Sequence, residues 1–480
     1  MQKIGVCLTN KVNAWAWALD VGINQNNESN SVYLIDFCCP EWNPRFSFQL
    51  EQAVTHGIST FNVKSLVARQ DSDSFQEIKN ALFECILTST NVFHPTFRGI
   101  PIGSILKVYF SREMGTEPYE VQQLEKQDFL NFVEMISMGI WAFDNFFYFC
   151  DSVIISNGRD PIEATLLHLS RESGIPTTVL EKGARISQVQ PFRNSPHFVP
   201  DWWDLLQDAS KLIGTIQARD LIEKYWQTRF MGLDTVAHKD WSIFMRKGFL
   251  PQQLTKQNYV LFLCSSQHEF AALPNLNFQA TLFEDQIAAA QSVVEQCRRR
   301  NLQVVIKRHP NSLSKHGIDV EESIWSSVRD NNHVVYLSPF ERVDYFLLIE
   351  KAKCVLTYRS SGGIEAAKMK VPCRAMGAAE WAFHRSALIQ NEEELQNFLD
   401  NPSTLEVDYA DTWAYFSQTF GQSLSIFDEV ISGYAKKSSN YFFACHHYSL
   451  PLSIRWYRQT KSHFQRLLSN RRLHSLQKKA

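Results

Sequence analysis

The sequence predicts an α/β protein made of two doubly wound, parallel-sheet domains with helices at the C-terminal end. Three observations carry this. From Tyr259 onward, short β-branched runs alternate with helical stretches, five times within about 120 residues. Between residues 152 and 180 a strand, a helix and a second strand make a complete βαβ unit. The 480 residues are 44% hydrophobic and 20% charged, the balance of an ordinary folded chain, which sets aside disordered and collagen-like classes. At roughly 100–200 residues per domain, that length accommodates two large domains or three small ones.

The first predicted strand is Ser31 to Phe37. The most apolar long window, Phe132 to Cys150, is interrupted by Glu134, Asp144 and Asn145, each costly at a bilayer centre, so it reads as a buried helix and no span is expected. Ser152 to Ser156, a helix from Pro161 to Ser173, and Thr177 to Leu180 follow as the βαβ unit. Residues 201–256 are rich in Trp and Lys and read as helices plus a connection, with the junction at 250/251, where Gly, Pro and Gln cluster in GFLPQQLTKQN. The second domain opens on YVLFLC (Tyr259 to Cys264), a continuous apolar run suited to a strand buried on both faces. A helix over 283–300 follows, then a strand at 304–307, a helix around 320–329, a strand at 333–337 and a helix at 342–351. The last strands are expected at 353–358 and 371–376, on either side of a short helix from Ile364 to Met369. Past residue 405 the chain reads as helical and aromatic. The expected division is 1–250, 251–430 and a basic helical segment 431–480, the two large domains both Rossmann-like.

The formal charge is −2, which gives no field for nucleic acid. Its distribution is uneven: no acidic residue follows Glu429, while ten Lys and Arg do. Ile454, Trp456, Tyr457, Phe464, Leu467, Leu468 and Leu473 are interleaved with those cations, a pattern suited either to an anionic membrane surface or to a solvated terminal helix. Aromatics reach 13%, so thick cores and some surface aromatic contacts are expected. The ten cysteines are scattered without a CxxC, which predicts no disulfide framework and a reducing compartment. The N-terminal stretch has no secretory-signal pattern.

Chemistry is expected at strand ends. Tyr358-Arg359-Ser360-Ser361-Gly362-Gly363-Ile364-Glu365 joins a strand to a helix, where open α/β sheets bind ligands. Ser360 and Ser361 offer hydroxyls, Gly362 and Gly363 let a ligand approach the backbone, and the first-turn N–H groups attract anions. The alternative is a capping serine with turn glycines. Glu365 either accepts from ribose hydroxyls or complements the helix dipole. Lys307-Arg308-His309-Pro310 ends another strand of the same sheet, 51 residues before Ser360, and can donate to a phosphate or leaving oxygen. Ser265-Ser266, after the first strand of that domain, can reach the same ligand or be a polar loop. In the first domain, Asn157-Gly158-Arg159 and Glu181-Lys182-Gly183 end the strands of the βαβ unit. Glu181 is the candidate base and Asn157 and Arg159 position the acceptor; the competing reading pairs Glu181 with Lys182 or Arg185. No phosphate loop, HExxH, GxSxG or metal-ligand spacing is present, so no metal and no cofactor are expected.

The runs VVIKRHPN, HVVYLSPF and KCVLTYRSSGGIEAAKMKVPCRAMG resemble the nucleotide-sugar domain of bacterial capsule and surface polysaccharide glycosyltransferases of GT-B architecture, Kdo transferases nearest and sialyltransferases more distantly. The resemblance covers roughly residues 259–380. It implies two Rossmann-like domains facing a central cleft, His309 and Pro310 beside a CMP-sugar donor, and Ser360 and Ser361 on its phosphate. In the sialyltransferase pattern an acidic pair before Gly supplies the base; here Lys182 stands in the second place. The function expected is transfer of a sugar from a nucleotide donor to a growing surface glycan, in the cytoplasm, with peripheral contact to the inner membrane face. The alternatives are a nucleotide-sugar 2-epimerase of the same architecture and a non-catalytic scaffold subunit of a glycan assembly complex.

Overall fold

The computed structural model describes residues 1–443 except 10–11, 38–43, 70–71, 90–94, 114–125, 194–197, 235–238, 241–244, 255–257, 266–282, 284–285, 310–324, 330, 340, 432–433 and 438–439. Two sheets organise the chain. The first is built from β1 (Gln2–Leu8), β2 (Asn30–Asp36), β3 (Ser59–Asn62), β4 (Ser152–Ser156), β5 (Thr177–Lys182) and β6 (Gln188–Phe192). Its helices are α1 (Val12–Gln25), α2 (Pro44–His56), α3 (Val63–Arg69), α4 (Ser72–Leu87), α5 (Ile102–Glu113), α6 (Lys126–Asn145) and α7 (Pro161–Glu172). Two helices, α8 (Val199–Ser210) and α9 (Ile216–Phe230), then lead past a small ribbon of β7 (Leu233–Asp234) and β8 (Lys239–Asp240).

The second sheet comprises β9 (Tyr259–Leu263), β10 (Gln303–Lys307), β11 (Val334–Leu337), β12 (Ala352–Thr357) and β13 (Cys373–Ala375). Its helices are α10 (Gln286–Arg299), α11 (Ser326–Arg329), α12 (Tyr345–Glu350), α13 (Gly362–Lys368) and α14 (Glu392–Asp400). The chain continues through α15 (Val407–Thr419), β14 (Gln422–Ser423), β15 (Glu429–Ile431), β16 (Tyr434–Lys437) and β17 (Asn440–Phe443).

The second sheet runs β11-β10-β9-β12-β13, all parallel. In order of succession that is 3-2-1-4-5, a doubly wound arrangement whose order reverses between β9 and β12. The first sheet runs β14-β6-β5-β4-β1-β2-β3, so its parallel part has the same 3-2-1-4-5 order, reversing between β1 and β4. Two antiparallel strands, β6 and β14, extend that edge. The α/β class and the two doubly wound sheets expected from the sequence are both present.

Both sheets are covered on two faces, which is why their central strands are apolar throughout. All five residues of β9 are buried. One face of the second sheet packs Leu261, Leu263 and Val355 on α12, α13 and α15, and the other packs Val260, Phe262 and Leu356 on α10 and α14. The α9 residues Ala218, Ile222 and Trp226 belong to the first of these cores, ahead of the 250/251 junction that composition suggested.

The C-terminal residues correct one expectation. Residues 429–443 were expected to be helical, but β15, β16 and β17 form a three-stranded antiparallel sheet. Ser-Gly at 432–433 and the polar Ser-Ser step at 438–439 separate short runs of Val, Ile, Tyr and Phe, which is hairpin patterning rather than helical periodicity. Phe427, Val430 and Ala435 pack into the core of α1 and the first sheet, and Phe427 meets the Trp15 ring edge-on. The remaining basic segment, 444–480, lies outside the described residues.

Seven cysteines among the described residues are free thiols. Burial pushes the thiols of Cys297, Cys354 and Cys373 up to about 12, far from the reactive thiolate. No helix among the described residues is long and apolar enough to cross a membrane.

Asp20 on α1 pins the returning chain. One oxygen of this buried carboxylate accepts from the backbone N–H groups of Ser425 (2.7 Å) and Ile426 (2.6 Å), while the other takes the Asn24 amide. Asp20→Ala strands the Ile426 N–H in the core and is expected to cost about 1–3 kcal/mol in urea unfolding. Asp20→Asn keeps an accepting oxygen and is expected to lose less; equal losses for the two would remove the clamp as the cause.

Candidate functional site

In a doubly wound sheet, crossovers on either side of the order reversal leave toward opposite faces, so the carboxyl ends of the two strands there are uncovered. The second sheet's reversal lies between β9 and β12, which are in register with Leu263 opposite Thr357. Ser265 follows β9 and Thr357 ends β12. Both residues are buried, and neither the Ser265 Oγ nor the Thr357 Oγ1 has a hydrogen-bond partner. A buried hydroxyl without a partner costs on the order of 1–3 kcal/mol, and here two lie on neighbouring strand ends; Gln49, Thr60 and Ser170 hold buried unpartnered atoms elsewhere. The first sheet repeats the feature: Thr9, after β1 at its own reversal, is buried with its Oγ1 unpartnered.

Around this point the structure brings several predicted residues to one edge. Ser360 and Ser361 follow β12 directly, and His309 is half-buried one residue beyond Arg308 at the end of β10, the strand on the other side of β9. Ser361 is exposed and, although it stands at the start of α13, its side chain makes no capping bond. The alternative of a capping serine is therefore not what Ser361 does. Ser266 and Pro310 lie outside the described residues.

Four expectations for this edge need correction. Gly362 and Gly363 are not open to an approaching ligand, because the chain itself fills the space. A Cβ on Gly362 would sit 2.4 Å from Leu263 Cδ1 and from the Tyr345 hydroxyl, and one on Gly363 would meet the Trp381 ring at 2.1 Å. Nor are the first N–H groups of α13 vacant. Gly362 N donates to Ser360 Oγ at 3.3 Å, Gly363 N to the Ser360 carbonyl at 3.3 Å and Ile364 N to the Ser361 carbonyl at 3.0 Å.

Glu365 is 3% exposed and is held from two sides, by Arg229 Nε of α9 on one oxygen and by the Tyr345 hydroxyl on the other at 2.6 Å. It is an internal tie rather than a ribose acceptor. Burial, and then the charge of Glu365, push the Tyr345 phenol well above its usual range, so it stays the donor. The cations before His309 are also turned to the protein. Lys307 Nζ donates to the carbonyls of Ser338 (2.8 Å) and Glu341 (3.2 Å). The Arg308 guanidinium lies 4.8 Å over the Trp325 ring and donates to the Tyr336 hydroxyl at 2.9 Å.

On the first sheet, three predicted residues meet. Asn157 Nδ2 donates to Glu181 Oε2 at 2.7 Å, Arg159 Nε donates to Asn157 Oδ1, and the Arg159 guanidinium lies 3.6 Å from Glu181 Oε2. The Lys182 backbone N–H takes the other carboxylate oxygen at 2.9 Å. The competing pairing with Arg185 is not formed, and Lys182 contributes through its backbone. Asn157 and Gly158 both have positive φ, 60° and 72°, a sharp turn that brings the amide back across the strand ends toward β5. A Gly at 158 is required twice over, since a Cβ there would lie 2.9 Å from Leu167.

Sequence reasoning missed Thr9, Thr357 and the partners of Glu365. Thr at the last position of a buried apolar run, Cys-Val-Leu-Thr, was the available signal for Thr357. Nothing local announces Arg229, 136 residues from Glu365. Among the described residues no group of three or more His, Cys, Asp or Glu is placed to hold a metal ion.

No protein-family model matches the chain, and no curated protein matches it. Solved structures give distant likenesses. The UDP-GlcNAc 2-epimerase of Methanocaldococcus jannaschii, solved with UDP-GlcNAc and UDP, is 10% identical over 85% of this chain and 98% of its own, with a TM-score of 0.26. The β-Kdo 2,4 transferase KpsC of Thermosulfurimonas dismutans is 12% identical over 55% of this chain and 79% of its own, with a TM-score of 0.29. HepE of Anabaena, solved with UDP and glucose, is 12% identical over 87% and 94%, with a TM-score of 0.24. Likeness at this level carries no argument about activity, and the fold rests on the sheet topology described above.

Two outcomes test this geometry. Gly363→Ala drives a methyl into Trp381 and is expected to destabilise by about 1–3 kcal/mol or more, read as a fall in Tm; an unchanged Tm would mean Trp381 is free to move. Lys307 is pulled down to about 8, first by burial. Because the folded chain releases this proton earlier than the unfolded one, the burial penalty is full below pH 8 and fades as pH rises toward 10.5. The unfolding free energy is expected to rise across that window by up to about 3 kcal/mol relative to Lys307→Met, and parallel pH profiles for the two proteins would contradict it.

Proposed function

We propose that the protein is a glycosyltransferase that holds a nucleotide-activated sugar at the order reversal of the second sheet and passes the sugar to a glycan acceptor at the carboxyl edge of the first. One observation supports this above the others: the unpartnered buried hydroxyls of Ser265 and Thr357 stand on adjacent strand ends beside Ser360, Ser361 and His309. Hydroxyls and an imidazole are the groups that donate to phosphate oxygens while leaving them dry.

In the proposed reaction the acceptor hydroxyl oxygen attacks the anomeric carbon, the bond from that carbon to the donor phosphate oxygen breaks, and the nucleotide leaves with the electron pair. His309, Ser360, Ser361, Ser265 and Thr357 stabilise the charge growing on the departing phosphate. Glu181 takes the acceptor's proton, with Asn157 and Arg159 fixing its orientation and offering donors to acceptor hydroxyls. This requires the two carboxyl edges to oppose each other across a cleft, with closure excluding water as a rival acceptor. The motif resemblance favours a CMP-linked donor such as CMP-Kdo and a capsule or surface polysaccharide acceptor. The scattered cysteines favour a cytoplasmic protein, and the cations interleaved with apolar residues after residue 453 favour contact with anionic lipid.

A thermal-shift screen against CMP, UDP, GDP, dTDP and ADP tests the donor site, since a ligand that binds only the folded chain raises Tm by mass action. One nucleotide is expected to raise Tm, and the rise is expected to vanish in His309→Ala and in the Ser360→Ala, Ser361→Ala double variant. No shift with any nucleotide would return weight to a scaffold role. With the matching nucleotide sugar and no acceptor, release of a free epimeric monosaccharide would identify a 2-epimerase instead. Glu181→Gln is expected to lower transfer by about 100-fold or more while leaving the nucleotide shift intact.

A further inference from the structure

A cavity of about 590 Å³ opens between α9, α15 and the C-terminal end of α13, within the roughly 300–1,000 Å³ range of small-molecule sites. It lies away from the strand ends. Lys368, which lines it, ends α13, while Ser361 precedes the first residue of that helix, so about 10 Å of helix separates the two.

The floor is fixed. Trp226 is buried, its indole N–H donates to Asp411 Oδ1 at 3.0 Å, and its ring stacks on Phe230 at 5.6 Å. Lys368 Nζ meets the same Asp411 oxygen at 2.6 Å and lies 5.6 Å from the Trp226 ring centroid. Phe230 is 39% exposed, so an aromatic ring borders the opening. At the rim, Gln227 Nε2 donates to Glu223 Oε1 at 2.9 Å, which leaves the second Glu223 oxygen and the Gln227 carbonyl as acceptors. Among the described residues, neither the Arg219 guanidinium nor the Asp408 carboxylate, both exposed and both lining the cavity, makes a hydrogen bond or ion pair.

The lining thus presents donors and acceptors in near balance, with three carboxylates against two cations. Three carboxylates oppose an anionic ligand, and Arg219 with Lys368 oppose a polycation. A neutral polyhydroxylated ring uses both kinds of group at once: its hydroxyls donate to Asp408 and Glu223 and accept from Arg219, and its C–H face lies against an aromatic edge. We propose that this cavity is a second carbohydrate site, which binds an oligosaccharide by a non-reacting part of its length. The proposal goes beyond the transfer reading and does not depend on it.

The test is binding by the full chain of four neutral disaccharides, cellobiose, maltose, lactose and diacetylchitobiose, by saturation-transfer NMR and calorimetry. Spermidine and inorganic pyrophosphate serve as charged probes. At least one disaccharide is expected to bind saturably in the millimolar range. Arg219→Ala and Asp408→Ala, exposed residues with no internal partner, are each expected to weaken it about tenfold with Tm unchanged. The Ser360→Ala, Ser361→Ala double variant is expected to bind the disaccharide as the parent does, which separates this site from the donor site. No saturable disaccharide, binding of spermidine or pyrophosphate alone, or indifference to both rim substitutions would each overturn the proposal.

Discussion

Much in this molecule follows from the reversal of strand order within a parallel sheet. A parallel strand is followed by a crossover that must pack on one face, and when the order turns back the next crossover must take the other face. Between the two strands neither crossover covers the backbone ends. In the second sheet that gap falls between Leu263 and Thr357, opposite each other in register, and Ser265 and Thr357 leave buried hydroxyls there without partners. Buried hydroxyls or amides without a partner also occur at Gln49, Thr60 and Ser170, but Ser265 and Thr357 stand together at a point of order reversal. Thr9 at the corresponding point of the first sheet shows the same cause acting a second time.

The turn after β12 is held by the interior rather than by a ligand. Gly362 and Gly363 let α13 settle against Leu263, Tyr345 and Trp381, and the Trp381 indole N–H donates to the Ser360 carbonyl at 2.8 Å. One turn on, Glu365 is buried as an ion pair with Arg229 and a hydrogen bond from Tyr345. A carboxylate so deep is tolerable only with both oxygens engaged, and removing either partner would leave an uncompensated charge. Arg229 belongs to α9 and Tyr345 to α12, so three helices are fixed to each other just below the turn. The Ser360 and Ser361 side chains are therefore presented on a backbone with little freedom, as the proposed stabilisation of a leaving group would require.

The second domain was legible because its strands are buried on both faces. YVLFLC needs no alternation to be recognised, and β10 and β12 repeat the pattern, so the bounds of all five strands could be placed to within two residues. That Asn157, Arg159 and Glu181 share one edge was legible too, because strands of a βαβ unit end at the same edge, but that they pair with one another was not. What the sequence concealed were the reasons behind residues. The two glycines suit a ligand cradle or a tight helix seat equally well, and only the position of Trp381 decides between them. Glu365 suits a ribose acceptor until Arg229 is seen across 136 residues of chain. The C-terminal strands were hidden by their shortness, since runs of three or four residues carry too little periodicity to outweigh an aromatic helix just before them.

The chain passes between the two sheets twice, and both passages run along the β6 side. Going out, α8 carries Trp202, whose ring contacts Phe192 at the end of β6 and Trp413, Phe416 and Phe420 of the returning passage. Coming back, α15 lies against α8 and α9, after which β14 pairs with β6 and Asp20 fastens Ser425 and Ile426 to α1. A double connection with aromatic contacts between its two passages ties the sheets together on that side. The reversal points lie along the strand ends away from β6, beyond β5 in the first sheet. In the proposed transfer, any closing of one carboxyl edge toward the other would have to be taken up at this connection.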